Sequence, residues 1–318
     1  MRVNKWKWIL EECRWFLIRC YHAVFNKYLL NYSKYGKHDL LNSKEGNDII
    51  AQKIEQGNPF AFCRFSFVEM NLMIRCRTEE IIGINTYKYK KDITKIFEDQ
   101  EQDSLYGVRK FYTLMRGATE AADMLGVWRN IPMGDAYINS LGNMEDQIFA
   151  DACAVEPYGF NEPWSSKLKG KKVLVVSPFS KEIEYQYGRR ERIWKNKSIL
   201  PDFSLDTLDS VWYFSGCKDN RFSSWFEALD YLYAEIMKRD FDIVLLGCGP
   251  FGFPLAAWVK EAGRQAVHMG GAIQILFGIK GKRWDDTSIS DYYNEYWIRP
   301  ENKTKPKNSN SLDNSCYW

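Results

Sequence analysis

The sequence predicts an α/β fold: a Rossmann-like, mostly parallel sheet with helices on both faces, preceded by an amphipathic N-terminal helix. Three observations predict it. Short, almost wholly apolar runs recur in the second half, Lys171-Lys-Val-Leu-Val-Val-Ser and Phe241-Asp-Ile-Val-Leu-Leu, as strands buried on both faces require. Each run leads through a turn into a helical segment, the alternation that builds parallel sheets. Gly247-Cys-Gly-Pro-Phe-Gly stands between one such strand and its helix, where a tight turn is needed.

Taken in order, residues 4–30 mix Trp6, Trp8, Trp15, Phe16, Tyr21 and Phe25 with Lys5, Lys7, Arg14, Arg19 and Lys27, a basic and aromatic helix. It suits either a membrane interface or packing on its own domain or a second subunit, the latter making a homo-oligomer. Pro59-Phe-Ala-Phe-Cys-Arg-Phe reads as a buried strand, and Ser66-Phe-Val-Glu-Met-Asn-Leu-Met as a turn into a helix. Residues 103–125 and 143–153 have helical spacing, and Pro157, Pro163 and Gly170 mark a connector. The strand from Lys171 is followed by a polar, basic helix around 180–195, a strand at Val211-Trp-Tyr-Phe and a helix from Trp225 to Lys238. After the glycine turn come a helix from Phe253 to Ala262 and a strand at Gln265-Ala-Val-His. Glu301 to Asn314 is a polar tail. The expected organisation is therefore a helical segment at 1–40, a Rossmann-like domain at 41–300 and a tail at 301–318.

Forty-four Lys and Arg against 41 Asp and Glu leave +3 in 318 residues, too little for a dedicated nucleic-acid binder. Residues 1–37 alone carry +6, so the remainder sums to −3 and the positive charge is local. Eight scattered cysteines without a C-x-x-C pair, and three histidines, argue against structural zinc and a disulfide framework. Charges at Glu11, Glu12, Arg14 and Arg19 interrupt the N-terminal apolar stretch before it reaches spanning length, and no cleavage site follows it. The expected location is the cytoplasm, with residues 1–37 resting on the inner, anionic membrane face.

Gly247-x-Gly249-x-x-Gly252 allows close backbone approach, and free N–H groups at the following helix favour an anion. A dinucleotide site would need an acid at the end of the next strand, which instead closes on His268-Met-Gly-Gly. Leu246-Gly-Cys-Gly-Pro looks like the loop that holds S-adenosylmethionine, but that loop belongs to the first strand of its sheet, and here it comes late. A methyltransferase is thus the alternative. The third reading is a nucleotide-sugar site, in which the departing diphosphate is stabilised by cations or helix N-termini and the acceptor hydroxyl is deprotonated by a carboxylate or His.

The order Arg64-Phe-Ser-Phe-Val-Glu69, Val176-Ser-Pro-Phe179, Asp242 to Ala256 and Gly263-Arg-Gln-Ala-Val-His268-Met-Gly-Gly resembles the GT-D type of bacterial glycosyltransferases over roughly residues 45–280. The stretch from His268 to Trp297 and the closing Cys-Tyr-Trp look similar to proteins of surface-polysaccharide clusters. The resemblance implies a nucleotide-sugar donor, a glycan or lipid-linked acceptor, and a donor site drawing on Arg64, Ser177, Gly247, Gly249, Pro250, Phe251, Gly252 and Gly270. The family pattern resembles Arg-(Phe/Tyr)-Gly-Asp-Gly-Glu, whose Asp-x-Glu pair is associated with metal. Phe67 stands where that Asp would, so a Mg²⁺ or Mn²⁺ cofactor is in doubt. Glu69 is a candidate acceptor base, a sugar ligand or a carboxylate at a helix start. Arg64 either bridges Glu69 or meets a phosphate. His268 is a candidate base, a donor contact or a structural group. Arg189 and Arg190, with Arg192, form a cationic group fit for a phosphate or for solvent. A non-catalytic scaffold of an assembly complex is the reading left if the missing Asp means lost activity.

Overall fold

The structure is a computed structural model describing residues 4–27, 30, 33–83, 104–142, 144–214, 217, 219–301, 305–306, 309 and 315–318. Its strands are β1 (Lys34–Tyr35), β2 (His38–Leu41), β3 (Phe60–Arg64), β4 (Met124–Val127), β5 (Ile148–Asp151), β6 (Lys172–Ser177), β7 (Ser204–Asp209), β8 (Ile243–Leu246) and β9 (Gln265–His268). They form one sheet in the order β1-β2-β5-β4-β3-β9-β8-β6-β7, parallel throughout except between β1 and β2. The helices are α1 (Lys5–Phe25), α2 (Ser43–Gln56), α3 (Phe67–Ile82), α4 (Ser104–Ala121), α5 (Gly134–Ser140), α6 (Ser180–Tyr187), α7 (Trp225–Met237), α8 (Gly252–Glu261) and α9 (Ala272–Leu276). No described helix is long and apolar enough to cross a membrane.

Strand alternation explains why the runs are continuously apolar. Ala61, Cys63, Leu174, Val176, Val244 and Leu246 enter one core with residues of α3, α4, α7 and α8, while Phe60, Phe62, Val173, Val175, Ile243 and Leu245 enter a second with α2, α6 and α9. Both faces are covered, as the sequence implies.

The two halves of the chain meet where β3 pairs with β9, with Phe60 opposite Gln265, Ala61 opposite Ala266 and Phe62 opposite Val267. β8 lies on the other side of β9, with Leu246 opposite His268. The carboxyl ends of β3, β9 and β8 are therefore neighbours, although their residues lie up to about 200 positions apart. α3 starts directly beyond β3: Ser66 Oγ accepts the Glu69 N–H at 3.3 Å, and the Glu69 carboxylate accepts the Ser66 N–H at 2.8 Å. This reciprocal cap satisfies two N–H groups that a helix start leaves without partners.

Four expectations need correction. The helix expected at 103–125 ends at Ala121, and Met124–Val127 is strand β4; position 103 lies outside the described residues. Gly126 is required there because a Cβ would sit 2.6 Å from the Phe62 ring. The helix expected at 143–153 is β5 followed by a 3₁₀ turn at Ala152–Val155; Ile148-Phe-Ala is too short a run for periodicity to separate strand from helix. The strand expected at Val211–Phe214 is instead Ser204–Asp209, where alternating Ser-Leu-Asp-Thr-Leu-Asp suits a sheet edge. The expected helix at 180–195 stops at Tyr187 and gives way to a 3₁₀ turn at Arg190–Arg192. Most of the polar stretch 301–314 lies outside the described residues, whereas Cys316 and Trp318 are buried and Trp318 packs against Phe179 and Trp212.

Candidate functional site at the carboxyl ends of β3, β9 and β8

Arg64 is the last residue of β3. Its guanidinium donates to Glu156 Oε1 at 2.9 Å and to the Met269 carbonyl, and lies over the Trp128 ring at 5.7 Å. Arg64 thus pairs with Glu156 rather than Glu69, and it ties the end of β3 to the loop after β9. A cation with so little water around it needs such partners. They fix its direction before any ligand arrives.

Glu69 is 3% exposed. Burial pushes its carboxyl above the usual range, while the Ser66 hydrogen bonds and the positive Arg64 pull it back. Its charge is felt by the buried Cys248 thiol, whose own pKa is raised chiefly by burial. The Phe65 ring, just before the cap of α3, lies 4.3 Å from that of Phe253, in the helix that follows the glycine turn.

The three glycines of that turn do different work. A Cβ on Gly247 would stand 2.1 Å from Ile273, and one on Gly252 would stand 2.4 Å from the His268 ring, so both are required by packing. Gly249 has φ +58° with nothing within 4 Å of where a Cβ would be, the left-handed conformation glycine adopts freely. It is the position in the turn where exposed backbone can meet a ligand. Phe251 is buried and stacks on Trp225 at 4.7 Å, and Pro250 is half-buried. Gly270, at φ +56°, lies against Arg64, whose Nη2 is 3.3 Å from its would-be Cβ.

His268 ends β9, buried beside Gly252, with Nδ1 lacking any hydrogen-bond partner. Burial, with the Arg64 charge adding to it and a backbone contact to Gly249 opposing, lowers its pKa from 6.5 to about 3. A neutral imidazole suits a hydrogen-bonding group better than a proton carrier near neutrality. Stability follows with a definite sign. Between pH 6.5 and 3 the unfolded chain takes up a proton that the folded chain refuses. The contribution is full above pH 6.5 and declines as pH falls, by up to about 1.4 kcal/mol per unit. Urea unfolding of wild type and His268→Gln between pH 7 and 5 should show that decline flattened in the variant; parallel curves would place the proton uptake elsewhere.

The other candidates are engaged in the fold. Ser177 is fully buried, and its hydroxyl accepts the Phe179 N–H at 3.2 Å, shaping the turn after β6. Arg189 donates to Gln186 and to the Tyr296 carbonyl, and Arg190 pairs with Asp202. The Arg192 guanidinium lies over Tyr296. No contact brings these arginines to the glycine turn. Phe67 opens α3 with 43% of its surface exposed and its ring 6.0 Å from that of Trp128. An aromatic pair thus occupies the rim where the resemblance calls for a second carboxylate. Among the described residues no three His, Cys, Asp or Glu side chains come together as a metal site. Besides Glu69, Asp151 at the end of β5 and Glu156 just beyond it are paired with Arg129 and Arg64. This set of residues does not fit a two-carboxylate divalent site.

Sequence reasoning missed Glu156, the Met269 carbonyl and Trp128. Met269 directly follows His268, and a strand-end position was the one signal available for it.

No protein-family model matches the chain, and no curated protein matches it significantly. Among solved structures it is similar to one described as the highly conserved domain of unknown function 1792 with a distinct glycosyltransferase fold. The identity is 13% over 75% of this chain and 80% of that one, with a TM-score of 0.45. It is also similar to a structure described as a new glycosyltransferase of the same domain from Streptococcus sanguinis, at 11% identity over 83% of this chain and 95% of that one, with a TM-score of 0.42.

Proposed function

We propose that the chain is a glycosyltransferase that holds a nucleotide-activated sugar across the carboxyl ends of β3, β9 and β8 and transfers it to a glycan or lipid-linked acceptor. The observation that carries this reading is the meeting of Arg64, Glu69, His268 and the open Gly249 backbone at one strand end. Open parallel sheets bind ligands at that edge.

Each group then has a task. The Gly249 turn and the start of α8 receive the diphosphate, where close approach and N–H groups favour an anion. Arg64, oriented by Glu156 and Met269, supplies fixed positive charge toward the leaving group. Glu69, its proton affinity raised by burial, is the base that accepts the acceptor's hydroxyl proton. His268, neutral at working pH, offers a hydrogen bond to a donor hydroxyl. No step in this scheme passes through a metal ion.

A thermal-shift screen over nucleotide sugars, with and without Mn²⁺, tests the reading. At about 100 times Kd a donor adds about 2.7 kcal/mol to the native state, and the scheme predicts a rise in Tm that does not need Mn²⁺. A screen in which S-adenosylmethionine alone raises Tm would replace it with the methyltransferase. A screen in which nothing raises Tm would favour the scaffold.

A further inference from the structure

α1 is fastened to the body by one face and bare on the other. Trp8, Trp15 and Ile18 are buried; the Trp8 indole N–H donates to Thr78 on α3, and that of Trp15 donates to Asp135 on α5. At about 100° per residue, Trp6, Leu10, Cys13, Leu17, Cys20 and Val24 fall within an arc of about 80° on the opposite side. All six are exposed, Trp6 by 74% and Val24 by 73%. Phe16 widens the arc on one edge. Six of the nine large apolar side chains that stand exposed among the described residues are on this helix. So concentrated a patch marks an interaction surface.

We propose that this face of α1 lies in the headgroup layer of an anionic lipid surface, holding the body beside it. The charges choose this occupant over a second copy of the chain. Lys7 and Arg19 flank the face, each about 60° beyond the arc as widened by Phe16, both exposed and, among the described residues, in no ion pair. Arg14 is already bound to Glu11 and Asp135. Glu12 is the one uncommitted carboxylate on the helix, too few to answer the cations of a facing copy. Exposed cations flanking an apolar face, with an exposed tryptophan, suit an anionic interface, the long side chains reaching outward to the headgroups. The 4-3-4-3-4 spacing of the six is also that of a coiled-coil seam, so the charges and not the width of the arc separate the two occupants.

The test is co-sedimentation of the full chain with vesicles of phosphatidylcholine, with and without phosphatidylglycerol, at low and high salt. The variants are Leu10→Asp with Leu17→Asp, and Lys7→Glu with Arg19→Glu. All four positions are exposed, so the variants should keep the wild-type circular dichroism and Tm. The wild type is expected to sediment with the anionic vesicles and to be released by salt. The apolar variant should partition about tenfold or more weakly, and the charge variant should lose its preference for anionic lipid. Failure of the folded wild type to bind anionic vesicles overturns the proposal, as does binding that the apolar variant retains. So does a dimer that cross-links through Cys13 and Cys20, is lost in the apolar variant and excludes vesicles; it would assign the face to a second copy.

Discussion

Glu69→Gln should lower kcat by about 10²–10⁴-fold, the usual consequence of losing a general base, while the chain stays folded and donor affinity changes little. Two facts separate this from a merely structural role. The glutamine side-chain carbonyl can still accept the Ser66 N–H that the carboxylate accepts at 2.8 Å, so the cap of α3 survives. The carboxyl is buried and its pKa is raised by that burial, so its ionised form is held at a cost that glutamine does not carry. The sign is definite: a raised carboxyl stabilises the fold most when protonated, and that contribution disappears as pH rises through its folded pKa. At neutral pH the variant should therefore be as stable as wild type or more so, with turnover lost. Lost activity with unchanged or increased stability is the signature of a group retained for chemistry. Wild-type turnover in the variant would leave Glu69 as a helix cap only. Wild-type activity should itself fall as pH drops and Glu69 is protonated.

Gly249→Val should abolish donor binding and leave a folded protein. The φ of +58° disfavours any residue with a Cβ by about 1–2 kcal/mol, a small share of the stability of a domain this size. The side chain itself meets nothing within 4 Å, so it would project into the space that the proposed scheme gives to the diphosphate. Gly252→Ala is the contrasting control. There the added methyl would stand 2.4 Å from the His268 ring, and the expected result is overpacking and a loss of about 1–3 kcal/mol of stability. Measured by calorimetric titration and urea unfolding, Gly249→Val should lose ligand with little loss of stability, whereas Gly252→Ala should lose stability. Normal affinity in folded Gly249→Val would remove the phosphates from this turn.

The parts of the fold that were legible in the sequence are those with strong local signals. β6, β8 and β9 are apolar runs closed by turns, and β3 ends where Ser66 and Glu69 announce a helix start. What escaped is where local pattern and tertiary context disagree. β4 follows a helix after two residues, and its Gly126 looks like a poor strand residue until Phe62 is seen to fill the space above it. β7 alternates because it is an edge, with only β6 beside it. The site divides in the same way. Arg64, Glu69, His268 and the glycine turn could be named from their places at strand ends. The partners of Arg64 could not, because Met269 is 205 positions away and Glu156 is 92. Only the parallel pairing of β3 with β9 brings the Met269 carbonyl within reach. The unequal roles of the three glycines were equally hidden, since packing against Ile273 or His268 leaves no mark within the motif itself.

The most direct measurement is release of nucleoside diphosphate from the nucleotide sugar that most raises Tm, followed with wild type and Glu69→Gln in the absence of added divalent metal. The account predicts turnover by the wild type, its stimulation by a sugar acceptor, and a variant that binds the donor as tightly but releases product about 10²–10⁴-fold more slowly. A folded wild type that binds the donor and never turns it over, or a Glu69→Gln chain that turns it over at the wild-type rate, would contradict it.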